Sequence, residues 1–199
     1  MNDLSSAHDK SKGIRTGIYE MLHRQGYPSA TKNILLLAYM DIAFEHNESI
    51  AVLIEKHLYG SAFALMRPLF DTLYRALWVN GCATEAQIEE IAENDSFKFP
   101  GVTEMVEAID RRYASERFFS DIKTESWEAM CSYTHSGLLQ VSRRFVGQSV
   151  RPAYKDVEVL EVVNSTTAAI ILLARMFFVS MNCKKEAEEA ERMMFEFGS

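Results

Sequence analysis

The sequence predicts a single all-α domain, and three observations predict it. Nine glycines and four prolines are few for 199 residues, so helices meet few breakers. Apolar residues recur at steps of three and four rather than two. Runs of Val, Ile and Thr alternating between Asn-Gly or Asp-Gly turns do not occur, so strands are not expected. The architecture read from this is a helical bundle over residues 1–183, built on a long antiparallel helical hairpin and a buried long helix near the C-terminus. Residues 184–199 read as a charged helical tail.

In order along the chain, Leu4–Arg24 reads as a first helix, weakened by Gly13 and Gly17 and ended by Gly26-Tyr27-Pro28. Ser29 or Thr31 caps the next, which runs toward Leu58 and is interrupted by a polar patch, Glu45-His46-Asn47-Glu48. At Leu58-Tyr59-Gly60-Ser61, Gly60 suits the left-handed residue that closes one helix and Ser61 the cap of the next. So short a turn makes the two helices antiparallel neighbours. The second, 61–80, stops at Asn80-Gly81. Thr84 with Gln87 forms a capping box for a short acidic helix. Thr103–Tyr113 is another short helix. Ser120 or Asp121 opens one that holds Trp127 and runs to about Thr134. Gly137 breaks the chain, Leu138–Phe145 is helical, and 147–154 is a loop. Asp156 caps a long helix to about Met181 that is apolar nearly all round, hence central. The 31–58 and 61–80 helices are expected to pack on it.

Composition restricts the function classes. A formal net charge of -7 argues against general nucleic-acid binding by bulk charge, and DNA is not expected as a partner. The charge is uneven: Arg111–Lys155 holds eight Lys/Arg against four Asp/Glu, which leaves an anionic ligand open beside the reading of a solvated helix face. Cys82, Cys131 and Cys183 have neither metal-ligand nor redox spacing. With the polar start MNDLSSAHDK they read as reduced thiols of a cytoplasmic protein. The apolar run Ala168–Ala174 is cut by Arg175, short of the ~20 residues a membrane span needs. No metal or cofactor is expected, for there is neither a Gly-rich phosphate loop nor a zinc pattern. Glu20-x-x-His23 has the spacing of di-iron bundles, but such a site needs a second copy and two further glutamates.

Two constellations carry chemistry. On the 61–81 helix, Arg67, Asp71, Arg75 and Trp78 recur at four, four and three beside the apolar face of Phe63, Met66, Phe70, Tyr74 and Leu77. Asp71 is one turn from each arginine. At the surface these are ordinary ion pairs. Facing the interior, they leave one positive charge that needs a protein acid or an anionic ligand such as phosphate. Pro68 lacks an N–H and crowds the carbonyl of Ala64, so a kink is expected beside Arg67. The second constellation is Tyr133-Thr134-His135-Ser136-Gly137, with Arg143 and Arg144 after it. His135 can serve as acid or base, or simply bond a carbonyl at a helix end.

The stretch SAFALMRPLFDTLYRALW (61–78), taken with YTHSGLLQV (133–141), resembles an uncharacterised bacterial all-helical family. Its pattern is an Arg-Pro helix with an acid four residues after the arginine, a second arginine four later and an aromatic, followed farther on by Tyr-x-His-x-Gly. The matching positions are Arg67, Pro68, Asp71, Arg75, Trp78, Tyr133, His135 and Gly137, and the resemblance spans Asp41–Arg144. More distantly the chain resembles the HEPN bundles of bacterial defence and toxin systems. Many of those are dimeric ribonucleases with an arginine four to six residues before a histidine. None of His8, His23, His46, His57 and His135 has an arginine at that distance, so this resemblance implies architecture rather than chemistry.

Besides a purely structural role for these residues, two functions are therefore expected. One is a helical interaction protein of a bacterial stress, toxin–antitoxin or defence module, forming a homo-oligomer, such as a homodimer, or binding a protein partner. The other is an atypical HEPN-like enzyme acting on RNA or a nucleotide. In that reading His135 and Asp71 are catalytic, and Arg67, Arg75, Trp78, Tyr133 and Arg143 bind the ligand. Geometry separates the two, because acid–base partners must reach the same reacting atoms. The enzyme requires His135 within a side chain's reach of Arg67.

Overall fold

A computed structural model describes residues 3–26 and 28–198. Tyr27, in the expected stop after the first helix, lies outside the described residues. The helices are α1 (Asp3–His23), α2 (Thr31–Glu55), α3 (Tyr59–Ala64), α4 (Met66–Gly81), α5 (Glu85–Glu93), α6 (Val102–Tyr113), α7 (Phe118–Thr134) and α8 (Leu138–Ser142). A hairpin of β1 (Phe145–Val146) and β2 (Ser149–Val150) follows, then α9 (Asp156–Ser180) and α10 (Lys184–Gly198). The fold is an all-α bundle.

A helix apolar all round must be covered from several sides, and α9 is. It packs against α1, α2, α4 and α10, and Ile170, Ile171, Leu173, Phe177 and Phe178 are fully buried. Thr166 and Thr167 are tolerated there because their hydroxyls donate back to the carbonyls of Val162 (2.7 Å) and Val163 (2.6 Å). By length and composition α9 could cross a membrane, with a mean hydropathy of 1.8 over its most apolar stretch, yet 67% of that stretch is buried in the protein. The expected hairpin is present: α2 and α4 pack on each other and both pack on α9. α10 lies along α9 and also touches α1, where a side chain at Gly17 would meet Met193 Cε at 2.9 Å.

Several boundaries differ from the sequence reading, each for a local reason. The left-handed residue closing α2 is His57 (φ 58°), not Gly60. The N–H of His57 bonds Ile54 O and that of Leu58 bonds Leu53 O, the paired bonds of a Schellman stop. Gly60 lies inside α3, where a Cβ would stand 2.5 Å from Arg144 Nη2, so it is glycine for close approach. Ser61 is likewise within α3, whose N-cap is Leu58. The single helix expected over 61–80 is two, α3 and α4, interrupted at Leu65. Ala64 O is the acceptor that Pro68 cannot serve, and the Thr134 hydroxyl, shared with Met130 O, takes it at 3.0 Å. Thr134→Val is expected to cost about 1 kcal/mol by leaving that carbonyl unpaired, read as a lower urea midpoint at unchanged m.

α7 opens at Phe118, two residues before the expected start, because its cap comes from another helix. Asp110 of α6 accepts from Phe119 N and Ser120 N (3.0 Å each) and from the hydroxyls of Ser115 and Ser120 (2.6 Å each). Asp156, expected as the cap of α9, is instead its first helical residue, and the N-cap is Lys155, whose N–H donates to Glu158 at 3.0 Å. The helix expected over 138–145 ends at Ser142, and the chain turns instead through Gly147 (φ 60°) to make the two-strand hairpin. Two-residue strands are too short to show a period-two pattern in sequence.

Candidate functional site

α7 ends against the α3–α4 break, and that meeting builds the site. Its stop is a Schellman arrangement: Ser136 is left-handed (φ 54°) and Gly137 N donates to Ser132 O. A Cβ on Gly137 would stand 2.5 Å from Ser132 Oγ, so the tight return needs glycine. This fixes the backbone of His135, which projects from the helix end and is exposed.

From α4, Arg67 Nη1 reaches His135 Nε2 at 2.5 Å, joining residues 68 apart in sequence. A guanidinium only donates, so Nε2 is the acceptor and the ring proton sits on Nδ1, a neutral imidazole. The guanidinium lies over the Trp127 ring, 5.1 Å from its centroid. Its Nε is 3.7 Å from Asp71 Oδ2, inside ion-pair range but too long for a hydrogen bond, and Nε is buried without such a bond. Arg67 is thus oriented on three sides and retains unused donors. Burial raises the Asp71 carboxyl above the ordinary range, and Arg67 and then Arg75 only partly offset it. Asp71 and His135 each contact the Arg67 guanidinium, one at Nε and the other at Nη1, at a partly open surface. Two cations and one half-buried acid leave the spot positive.

The remaining expected site residues lie elsewhere. Arg75 is exposed and stacks over Phe99 at 4.7 Å, near Tyr39, so it adds charge at a distance and shares no atom with His135. Trp78 is a core residue, buried against Phe97 and Phe99, because α4 carries apolar contacts on more of its surface than one stripe. Tyr133 is buried against Phe63 and Tyr154. Arg143 pairs with Glu158; the Tyr133 hydroxyl chiefly, and Glu158, raise its pKa against the opposing effect of burial. Arg67, Asp71 and His135 come together; Arg75, Trp78, Tyr133 and Arg143 do not join them. Glu20 and His23 are used locally, on Arg24 (3.5 Å) and on the Tyr19 carbonyl (3.0 Å). Among the described residues no three His, Cys, Asp or Glu side chains converge as a metal set.

Trp127 is the site residue that the sequence reading missed. It stands eight residues before His135 with Cys131 midway, a spacing of four and four that places all three on one face of α7. That spacing was the available signal.

No curated protein and no solved structure matches the chain. A family profile does match, over residues 40–198, and this span holds Arg67, Asp71, Trp127 and His135 together with α4, α7, α9 and the part of α2 from Met40 onward. The chain belongs to a family of unknown function, DUF6988.

Proposed function

We propose that this protein acts on a phosphate ester of RNA or of a nucleotide at the Arg67–Asp71–His135 cluster. The observation that supports this best is the Arg67–His135 contact, which sets an anion-holding donor and a neutral imidazole at one point. A phosphate oxygen competes with Nε2 for the Arg67 donor. Once it takes that donor, the Nε2 lone pair is free to act as a base. On RNA the base takes the 2′-hydroxyl proton, the 2′-oxygen bonds to phosphorus, and the bond to the 5′-oxygen breaks. The departing 5′-oxygen takes a proton from Asp71, whose raised pKa suits a donor. Arg67, with Arg75 behind it, offsets the charge that develops on phosphorus. The HEPN motif sets its arginine and histidine on one segment, whereas here they come from α4 and the end of α7, so this reading does not rest on that resemblance.

The test is turnover of RNA oligonucleotides and nucleotides by the wild type beside His135→Ala, Arg67→Ala and Asp71→Asn. His135→Ala is expected to lower kcat by about 10²- to 10⁴-fold with folding intact. Since the raised Asp71 must be protonated to donate, activity falls as pH climbs through its pKa, and Asp71→Asn removes that alkaline limb along with most of the rate. Equal background in every variant eliminates the reading.

A second reading, a self-associating interaction protein of a bacterial stress, toxin–antitoxin or defence module, has its own support. α8 and the hairpin, within residues 138–150, expose Leu138 (81%), Phe145 (56%) and Val150 (77%), the last two paired across the hairpin. Light scattering on wild type and Leu138→Asp/Val150→Asp tests it: a monomer in both cases removes the self-associating form.

A further inference from the structure

On the other side of α7 from His135 lies a groove whose walls are α7 and α9 and whose floor is α3–α4, with a volume of 520 Å³. Its lining on α7 runs from Phe118 to Tyr133 and on α9 from Glu158 to Leu172, stepping mostly by three and four, and Met194 of α10 also lines it. Each wall is therefore straight for about 21 Å, roughly four helical turns. Midway the walls carry small residues, Ser126 and Ala129 opposite Ser165 and Ala168, so a third helix can approach at the 8–10 Å of ordinary helix packing. The floor is apolar and includes Phe70 and Leu73.

The rim is acidic. Glu125 on one wall and Glu161 on the other are exposed, and among the described residues neither joins an ion pair or a side-chain hydrogen bond. Glu158, at one end, is already paired with Arg143, and no Lys or Arg lines the groove. A second copy is a poor match, since the whole chain carries -7 and α10, an amphipathic helix, has five glutamates against three cations.

We propose that this groove is the docking site for an amphipathic basic helix of a partner protein. The apolar face of that helix fills the channel over Phe70 and Leu73, and its lysines or arginines reach Glu125 and Glu161 across the two rims. This use is independent of the Arg67–His135 cluster, which opens on the other side of α7.

The experiment is fluorescence anisotropy of the full chain with a labelled 16-residue Leu/Lys peptide of helical periodicity. A scrambled peptide of the same composition and a Leu/Glu analogue serve as comparisons. The periodic Leu/Lys peptide is expected to bind at least tenfold more tightly than either. Ala168→Trp, which fills the groove without changing charge, is expected to weaken it tenfold or more. So is Glu125→Gln/Glu161→Gln, which leaves the packing untouched and serves if the tryptophan variant does not fold. His135→Ala is expected to leave peptide binding unchanged. Equal binding of the scrambled peptide, or binding undiminished in the glutamine variant, would show bulk charge attraction and overturn the proposal. A groove-dependent dimer by light scattering, with no peptide binding, would give the groove to a second copy and overturn it equally.

Discussion

Asp110→Ala is expected to lower the free energy of unfolding by about 3 kcal/mol, measured by urea denaturation at pH 7. The Asp110 carboxylate is only 8% exposed and receives four hydrogen bonds, two from backbone N–H groups at the start of α7 and two from serine hydroxyls. Alanine leaves Phe119 N and Ser120 N unpaired, each at a cost of roughly 1–3 kcal/mol where water cannot replace the acceptor. It also removes a negative charge from the positive end of the helix dipole. The effect carries a pH signature. Burial by itself raises the Asp110 pKa, but the bonds from Ser115, Ser120 and the Phe119 and Ser120 amides outweigh it and hold the carboxyl below the usual range. A depressed native pKa means that the unfolded chain binds the proton more readily. The stabilisation is therefore complete above the ordinary Asp value of ~3.9 and is lost as pH falls through the native one. In Asp110→Asn this part of the acid limb should be absent, and a profile parallel to wild type would remove the role assigned to the charge.

Asn47→Leu is expected to cost about 3 kcal/mol, although it replaces a polar residue by an apolar one at a position 2% exposed. The reason is Arg15, only 7% exposed. Its Nη1 donates to Asn47 Oδ1 at 3.0 Å and to Ser11 Oγ at 3.2 Å, and Ser11 Oγ lies 2.7 Å from Thr167 Oγ1 of α9. Glu48 approaches Arg15 Nε to 3.0 Å, but the pair is not aligned as a hydrogen bond and the carboxylate is 64% exposed, so most of its field is screened. Leucine at 47 strips the buried guanidinium of its main acceptor. The double variant Arg15→Met/Asn47→Leu removes the charge together with its partner and should recover more than half of the loss. A double-mutant cycle reads this directly, and additive losses would show that the two side chains are not coupled.

What was legible in the sequence follows the range of the interaction. The α2–α4–α9 core was readable because period and breaker content are local, and the Thr84–Gln87 capping box was readable because both partners lie within four residues. The kink beside Arg67 followed from Pro68 alone. Asp110 as the cap of α7 was not readable, because a residue eight positions upstream must first be folded back by the Ala114–Arg117 turn, where Ala114 (φ 50°) and Glu116 (φ 52°) are left-handed without glycine to announce it. Asn47 sat in what read as a polar interruption of its helix and is in fact buried, and Arg15, 32 residues earlier, explains it. At the site, the charged stripe was visible but its partition was not. Arg67 and Arg75 are two turns apart on one helix, yet one meets His135 and the other Phe99, since different helices cover successive turns of α4.

The burial of α9 has a consequence for synthesis. A 25-residue segment of this hydropathy, left without partners, partitions into lipid or self-associates. It is encoded late, after α1, α2 and α4 have left the ribosome, so three of the four helices that cover it are available before it emerges. A circular permutation that moved α9 to the front of the chain would keep every native contact and remove that protection.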